Sequence, residues 1–515
     1  MAGLKSSKSS RRSSAGFVSI ALCALAGAAV MAAAIAWFYR TGSLLWFGDA
    51  EAHLNIARRI VDSRTPGWAQ VGTTWLPLPH LLIVPLVRND WLWHTGLAGA
   101  VTSGVSMTVA ATFLFAAVHR VFESATAAAA AWAVFLLNPN TLYLGSIPMT
   151  EPVFLASLFA LLYFTVRFRE TGGWGALAGA AVCALAGTLT RYEAWFLLPF
   201  AAAFIWIAAR SKRILKAALF CVVAGAGPLL WLAHNRYYFG DPLYFYRGPY
   251  SALVIQGRSA YPGRGDWRAA AHYFFAAGRL VAGWPTLLIG CAGLALAGVQ
   301  HARRAIWPLL LLALPPVFYI WSIHSAATPI FVPSLYPYSW YNTRYGLALL
   351  PLAAFGAAAM ARISKPVALA VVTASLLPFL LHPHEHSVAQ NEADMNSRAR
   401  REWTSQAAAY LREAAGPHET YFTSFGDLTP IYRILGVPLR ATLTGDNDVE
   451  WAGAVARPDL FLHEDWAVVT GGDPVQAVLD KARLRGPRYE LERRIAVKGA
   501  PVVEIYRRIY ENPLH

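Results

Sequence analysis

Phe17–Phe38, FVSIALCALAGAAVMAAAIAWF, is an apolar run without a single charge. As a helix it would extend roughly 33 Å, enough to cross the roughly 30 Å hydrocarbon core of a bilayer. A secretory signal core is shorter. The run is therefore expected as a retained first span, with the polar tail 1–16 (Lys5, Lys8, Arg11, Arg12) on the cytoplasmic side.

Ten further apolar stretches follow, at about 94–118, 127–144, 152–167, 175–192, 195–209, 214–233, 278–299, 305–323, 343–361 and 367–382. Alternate junctions are basic: His119-Arg120, Arg167 and Arg169, Arg210 to Arg213, Arg303-Arg304, and Arg362 with Lys365. That alternation matches the excess of Lys and Arg in cytoplasmic loops. The sequence thus predicts a polytopic α-helical membrane protein of about 11 transmembrane helices, with the chain's end outside. Its address is expected to be a bacterial inner membrane.

The composition agrees: of 515 residues, 56% are hydrophobic and only 14% charged, more apolar surface than one soluble core hides. The net charge of +15 is unevenly spread, with 28 Lys+Arg against 10 Asp+Glu up to residue 383 and 16 against 19 beyond it. The basic excess belongs to membrane-flanking loops, so no nucleic-acid partner is expected. Cys23, Cys183, Cys221 and Cys291 lie in apolar runs without metal-ligand spacing.

The expected organisation is an N-terminal tail 1–16, a transmembrane domain 17–382 with external loops 39–93 and 234–277, and a small C-terminal extracytoplasmic α/β domain 383–515. Within that last domain, strands are expected at 419–425, 439–442, 460–462, 466–469, 489–497 and 502–506. Helices are expected at 427–435 and 447–456. No phosphate-loop, nucleophile-elbow or dinucleotide fingerprint appears there, which favours a support or acceptor-binding role.

Chemistry concentrates beside the spans. Just after the first lies Trp46-Phe47-Gly48-Asp49-Ala50-Glu51-Ala52-His53. Asp49 and His53 are four apart and share a side of any helix starting near Gly48; Asp49 is also a candidate helix cap. Glu51, Asn55 and Arg58 are spaced to share another face. Met149-Thr150-Glu151-Pro152 opens a helix, where an acid also benefits from the helix field. Arg191, in Thr190-Arg191-Tyr192-Glu193, has apolar sequence on both sides and needs a partner such as a nearby carboxylate. Arg344 and Tyr345, in Asn342-Thr343-Arg344-Tyr345, open a further helix. Two arginines at one bilayer boundary suit a lipid phosphate, because each guanidinium donates paired charged hydrogen bonds. Arg247 and Arg258 give the 234–277 loop a basic face for an anionic headgroup.

The segment Gly48-Asp49 to Ala57-Arg58, the Trp75 to His80 turn, Met149-Thr150-Glu151-Pro152 and Asn342-Thr343-Arg344-Tyr345 together resemble the GT-C superfamily of multispanning glycosyltransferases. Within it, the chain is similar to the bacterial branch of protein O-mannosyltransferases and aminoarabinose transferases, over roughly 17–382 and most strongly through 200. The resemblance implies transfer of a sugar from a polyprenyl-phosphate carrier to a hydroxyl of a glycan, glycolipid or protein acceptor at the extracytoplasmic face. It also implies that Asp49 is the catalytic base. Many relatives follow that Asp with Glu, where this chain has Ala50 and then Glu51, and His53 stands where relatives often have Tyr. Asp49, Glu51 and His53 are accordingly the candidate catalytic set, and Arg191, Arg344, Tyr345, Arg247 and Arg258 the candidate donor-binding set. Asp49 and Glu151 could hold a divalent cation (Mg or Mn), though no ligand spacing demands one. A flippase or transporter of a lipid-linked sugar and a non-enzymatic envelope-assembly scaffold are the alternative readings. A transporter should carry repeated broken helices, and none is evident.

Overall fold

A computed structural model describes residues 2–256, 260–424 and 426–510. Each expected span has a helical counterpart, beginning with Ala2–Arg40. Among the described residues, six stretches are long and apolar enough to cross a membrane: Val18–Arg40, Leu97–Phe122, Glu151–Thr171, Arg213–Phe239, Trp284–Ser325 and Thr343–Ala361. Ala125–Leu136, Trp174–Thr188, Tyr192–Ala208 and Lys365–Leu381 are shorter apolar helices.

Three boundaries differ from expectation. The 127–144 stretch is two helices, Ala125–Leu136 and Pro139–Leu144, because Asn138 turns the chain and its side chain accepts from Asn140 N. The 278–299 and 305–323 stretches are two helices that start later than expected, at Trp284, and meet without a loop at a kink where His301 has non-helical torsions (φ −132°, ψ 22°), the second ending at Ser325. The loop 234–277 contains most of the helix Trp267–Ala282, whose start is capped by Asp266 accepting from Arg268 N and Ala269 N.

The chain divides into two compact units. The helical unit comprises 1–43, 73–79 and 100–392. Here the helix that starts at Trp284 meets Leu350–Ala361 through glycines: a Cβ on Gly293 would lie 1.8 Å from Gly356 O. With no hydrophobic drive between helices in lipid, such small-residue contacts supply close packing.

The second unit comprises 44–72, 80–99 and 393–515, so much of the first loop folds with the tail. Leu54, Ala57, Ile83, Val87 and Trp93 share one buried core with Trp403, Leu411, Tyr421, Tyr432 and Trp466. Its strands are β1 Tyr421–Thr423, β2 Thr442–Leu443, β3 Trp466–Thr470, β4 Arg488–Ile495 and β5 Val503–Ile509. They form one sheet in the order β2-β1-β3-β5-β4, parallel across β2-β1-β3 and antiparallel across β3-β5-β4. The expected strand 460–462 is instead part of a helix, Pro458–Phe461, which Pro458 starts. The expected strand 439–442 is mostly a 3₁₀ turn, Leu439–Ala441, and Phe425 lies outside the described residues. Two helices were not anticipated, Val388–Ala414 and Pro474–Ala482.

Candidate active site

In the helical unit, sequence-distant charges meet at the ends of helices. Arg191 sits between Trp174–Thr188 and Tyr192–Ala208 in an extended conformation, which turns its side chain out of both helices. Its Nε donates to Glu193 Oε1 at 2.7 Å, its Nη1 to Thr150 Oγ1 at 2.6 Å, and its Nη2 to Tyr319 OH at 3.0 Å. Tyr319 in turn donates to Glu193 Oε1 at 2.5 Å. Burial disfavours the Arg191 cation, and the carboxylates of Glu193 and Glu151, at 2.7 and 3.2 Å, compensate it.

Arg344 stands in the 3₁₀ turn Thr343–Leu349. Asn342 enters that turn at φ 51°, a left-handed conformation Asn tolerates, and its side-chain amide donates to Pro329 O at 3.0 Å. A Cβ on Gly346 would lie 2.5 Å from Ala277 O, so the turn can seat against helix Trp267–Ala282 only with glycine there. Arg344 donates through its backbone N to Glu392 Oε2 (3.1 Å) and through Nη1 to Glu392 Oε1 (3.2 Å). Glu392 is itself positioned by Asn140, which accepts from Ala389 N and donates to His386 O, both at 2.9 Å.

Each guanidinium is thus oriented by its own carboxylate, and both then converge on a third. Glu151 Oε1 lies 3.2 Å from Arg191 Nη1 and 3.4 Å from Arg344 Nε. The Tyr345 ring lies beside both cations, its centroid 5.5 Å from Arg191 Cζ and 5.1 Å from Arg344 Cζ. A void of about 30 Å³ touches Glu151, Arg191, Tyr319, Arg344 and Tyr345, room for about one water. Beside it is a cavity of about 480 Å³ that shares Arg191, Tyr319 and Tyr345 and is walled by aromatics including Trp75, Tyr192, Trp195, Phe245 and Phe318. Such an arrangement offers an anion two charged forks at one end and an apolar chain an aromatic wall at the other.

In the second unit, Asp49 lies half-buried in the first turn of helix Gly48–Arg59. The cap position belongs to Phe47, so Asp49 is not the helix cap. The entry is held by Arg400, which donates to Trp46 O at 2.7 Å and would meet any Cβ on Gly48 at 2.6 Å. Glu51 is buried and clamped by Arg433, with Nε at 2.6 Å and Nη2 at 2.9 Å, and it accepts from Asn55 at 3.0 Å. His53 is buried, with its Nδ1 2.9 Å from His80 Nε2. The three expected catalytic residues share one short helix, but two of them are engaged in buried pairs.

Of the donor-binding set, Arg191, Arg344 and Tyr345 come together. Arg247 is 62% exposed and pairs with Asp241 at 3.7 Å, away from that cluster's hydrogen bonds, while Arg258 lies outside the described residues. Among the described residues there is no group of three or more His, Cys, Asp or Glu placed to hold a metal ion. Glu151 faces two guanidinium cations, which would repel a divalent ion. Glu193, Tyr319 and Glu392 were not anticipated as site residues. Glu193 was legible two places from Arg191, whereas Tyr319 and Glu392 are brought in by tertiary packing alone.

No protein-family model matches the chain, and no curated protein matches it either. Among solved structures, ArnT from Cupriavidus metallidurans bound to undecaprenyl phosphate is similar, with a TM-score of 0.57 and 14% identity over 93% of this chain and 97% of that one. The apo state of ArnT from the same organism gives a TM-score of 0.55 and 14% identity, over 88% and 93% respectively. The chain therefore shares the polytopic helical fold of ArnT nearly end to end.

Proposed function

We propose that the chain is an inverting glycosyltransferase that moves a sugar from a polyprenyl-phosphate donor to a hydroxyl acceptor at the extracytoplasmic membrane face. The observation that carries this reading is the convergence of Arg191 and Arg344 on one oxygen position beside an aromatic-walled cavity. ArnT, of like fold, has been crystallised with undecaprenyl phosphate, which supports the same lipid class here. In this reading the phosphate takes the place of the Glu151 carboxylate, the position on which both guanidinium groups converge. The polyprenyl chain follows the aromatic cavity, and the tail 1–16 and the region 383–515 lie on opposite sides of an inner membrane.

The reaction needs one base and one stabilised leaving group. The acceptor O–H gives its proton to Asp49 as its oxygen bonds to the anomeric carbon. The bond from that carbon to the phosphate oxygen breaks, and its electron pair stays on the phosphate, where Arg191 and Arg344 meet the charge. Glu51 and His53 position the helix carrying Asp49 through Arg433 and His80.

Titration of purified protein with undecaprenyl phosphate tests the binding half. Arg344→Ala should weaken binding about 10- to 100-fold, the worth of a charged hydrogen-bond pair; equal affinity refutes the phosphate assignment. Asp49→Asn should retain that binding while transfer falls about 10²- to 10⁴-fold. Retention of anomeric configuration, read by NMR of the product, would exclude direct inversion.

A further inference from the structure

Helices of the helical unit carry arginine at both ends, and the two ends use it differently. Helix Glu151–Thr171 opens on Glu151 and holds Arg169 in its last turn, while Arg191 and Arg210 flank Tyr192–Ala208. At the Glu151 end, Arg191 and Arg344 meet carboxylates. At the far end the cations mostly meet backbone carbonyls.

The causes are local. Pro308 has no N–H, so Arg304 O lacks the donor that the fourth residue on supplies in a regular helix. Arg169 Nη2 fills that place at 3.2 Å, and its Nη1 donates to Arg303 O. Near the end of Glu151–Thr171, where helix carbonyls run out of partners, Glu170 O accepts from Arg210 Nη2 at 2.6 Å and Gly172 O from Lys216 Nζ at 2.8 Å. A carbonyl satisfies the donors of a cation and leaves its net charge intact.

The carboxylates that pair here are Glu170, with Arg120 at 2.5 Å, and Glu123, with Arg304 at 2.7 Å. Six cations, Arg120, Arg169, Arg210, Lys216, Arg303 and Arg304, thus gather with two carboxylates. Basic residues in loose loops can move apart, but bonds to the backbone pin Arg169, Arg210 and Lys216. Their mutual repulsion is relieved by an anion.

The neighbouring surface decides what carries that anion. Beyond the kink at His301, Arg303, Ile306, Leu310 and Val317 recur at helical spacing, and all are exposed, the last three at 53%, 54% and 50%. Trp174, half-exposed, has its ring 5.2 Å from Lys216 Nζ, and tryptophan favours the boundary between headgroups and hydrocarbon. A cation at the head of an apolar stripe matches a molecule with a phosphate at one end and acyl chains behind it. A free phosphate makes no use of the stripe. A zwitterionic phospholipid brings its own ammonium and cancels the charge that the cluster needs.

We propose that this end of the helical unit binds the phosphate of an acidic phospholipid, with its acyl chains along Ile306, Leu310 and Val317. In the transfer reading this is the cytoplasmic leaflet, across the membrane from the donor. The proposal stands whether or not the chain transfers sugar.

The test titrates the full chain in detergent with phosphatidylglycerol or phosphatidylcholine and counts bound lipid by native mass spectrometry. Phosphatidylglycerol should bind about tenfold more tightly than phosphatidylcholine. Arg303→Ala, an exposed change with an unaltered thermal midpoint as its folding control, should weaken phosphatidylglycerol about fivefold. Arg303→Lys, which keeps the charge, should bind within about twofold of wild type. Arg236→Ala removes an exposed arginine from the opposite end of helix Arg213–Phe239 and should cost about twofold or less. Equal binding of the two lipids, equal losses at Arg303 and Arg236, failure of Arg303→Lys to restore binding, or displacement of phosphatidylglycerol by inorganic phosphate would each overturn the proposal.

Discussion

Glu51 and Glu151 are both buried glutamates facing arginine, yet their geometries differ in kind. Glu51 meets one guanidinium, Arg433, side-on through both oxygens at 2.6 and 2.9 Å, and Asn55 fills a further acceptor site. Glu151 places a single oxygen between two guanidinium groups, at 3.2 and 3.4 Å. In the first case the arginine meets no other carboxylate among the described residues, so the pair is closed and serves the fold. In the second, Arg191 and Arg344 are already oriented by Glu193 and Glu392. Removing Glu151 would leave both cations in place and still aimed at the vacated position. A closed pair ties segments of chain together, whereas a position defined by two independently held cations can exchange one anion for another.

The largest expected effect comes from opening the closed pair. Arg433→Ala leaves Glu51 buried and charged without its main partner, a change that typically costs about 3–5 kcal/mol. Because Arg433 also donates to His94 O at 2.6 Å, the loss should be felt across the second unit. Thermal unfolding should show a lowered midpoint for the transition of that unit, followed by the fluorescence of Trp93, Trp403 and Trp466. An unchanged midpoint would put Glu51 back among the candidates for direct chemistry.

A smaller effect, of opposite sign, is expected at Glu151. Glu151→Gln removes the charge that competes with an incoming phosphate while keeping the shape of the side chain. Affinity for undecaprenyl phosphate should rise roughly tenfold, as about 1.4 kcal/mol of charge-assisted interaction shifts to the lipid. Weaker lipid binding in this variant would mean that Glu151 supports the phosphate rather than standing in for it.

How much of this could be read from sequence follows the range of each interaction. The spans were legible because apolar runs and basic junctions are local signals. The helix bearing Asp49 was legible from spacing, and Glu51 does meet Asn55 four residues on. Arg191 advertised its need for a partner, and Glu193 supplies one two residues away. The partners that separate Glu51 from Glu151 were not legible: Arg433 is 382 residues from Glu51, and Arg344 is 193 from Glu151. The helix Val388–Ala414 was overlooked although Trp403, Ala407, Ala408 and Leu411 mark one buried face, because its remaining positions are largely polar. The break at His301 within Trp284–Ser325 falls beside the basic junction Arg303-Arg304, a local signal that marks where non-helical torsions separate two helices with no loop between them.

The smallest expected effect concerns Arg247, and it decides whether phosphate recognition is a defined site or a diffuse basic field. Arg247 is 62% exposed and 3.7 Å from Asp241, so its charge is both hydrated and partly neutralised. Exposed pairs of this kind are worth about 0–1 kcal/mol and are screened by salt. Arg247→Ala should therefore change undecaprenyl phosphate affinity by about twofold or less at physiological ionic strength, against the much larger loss expected for Arg344→Ala. If the two substitutions cost the same, and both losses vanish in high salt, binding comes from summed positive charge. The convergence on the Glu151 position would then be a structural ion cluster, equivalent in role to Glu51 with Arg433.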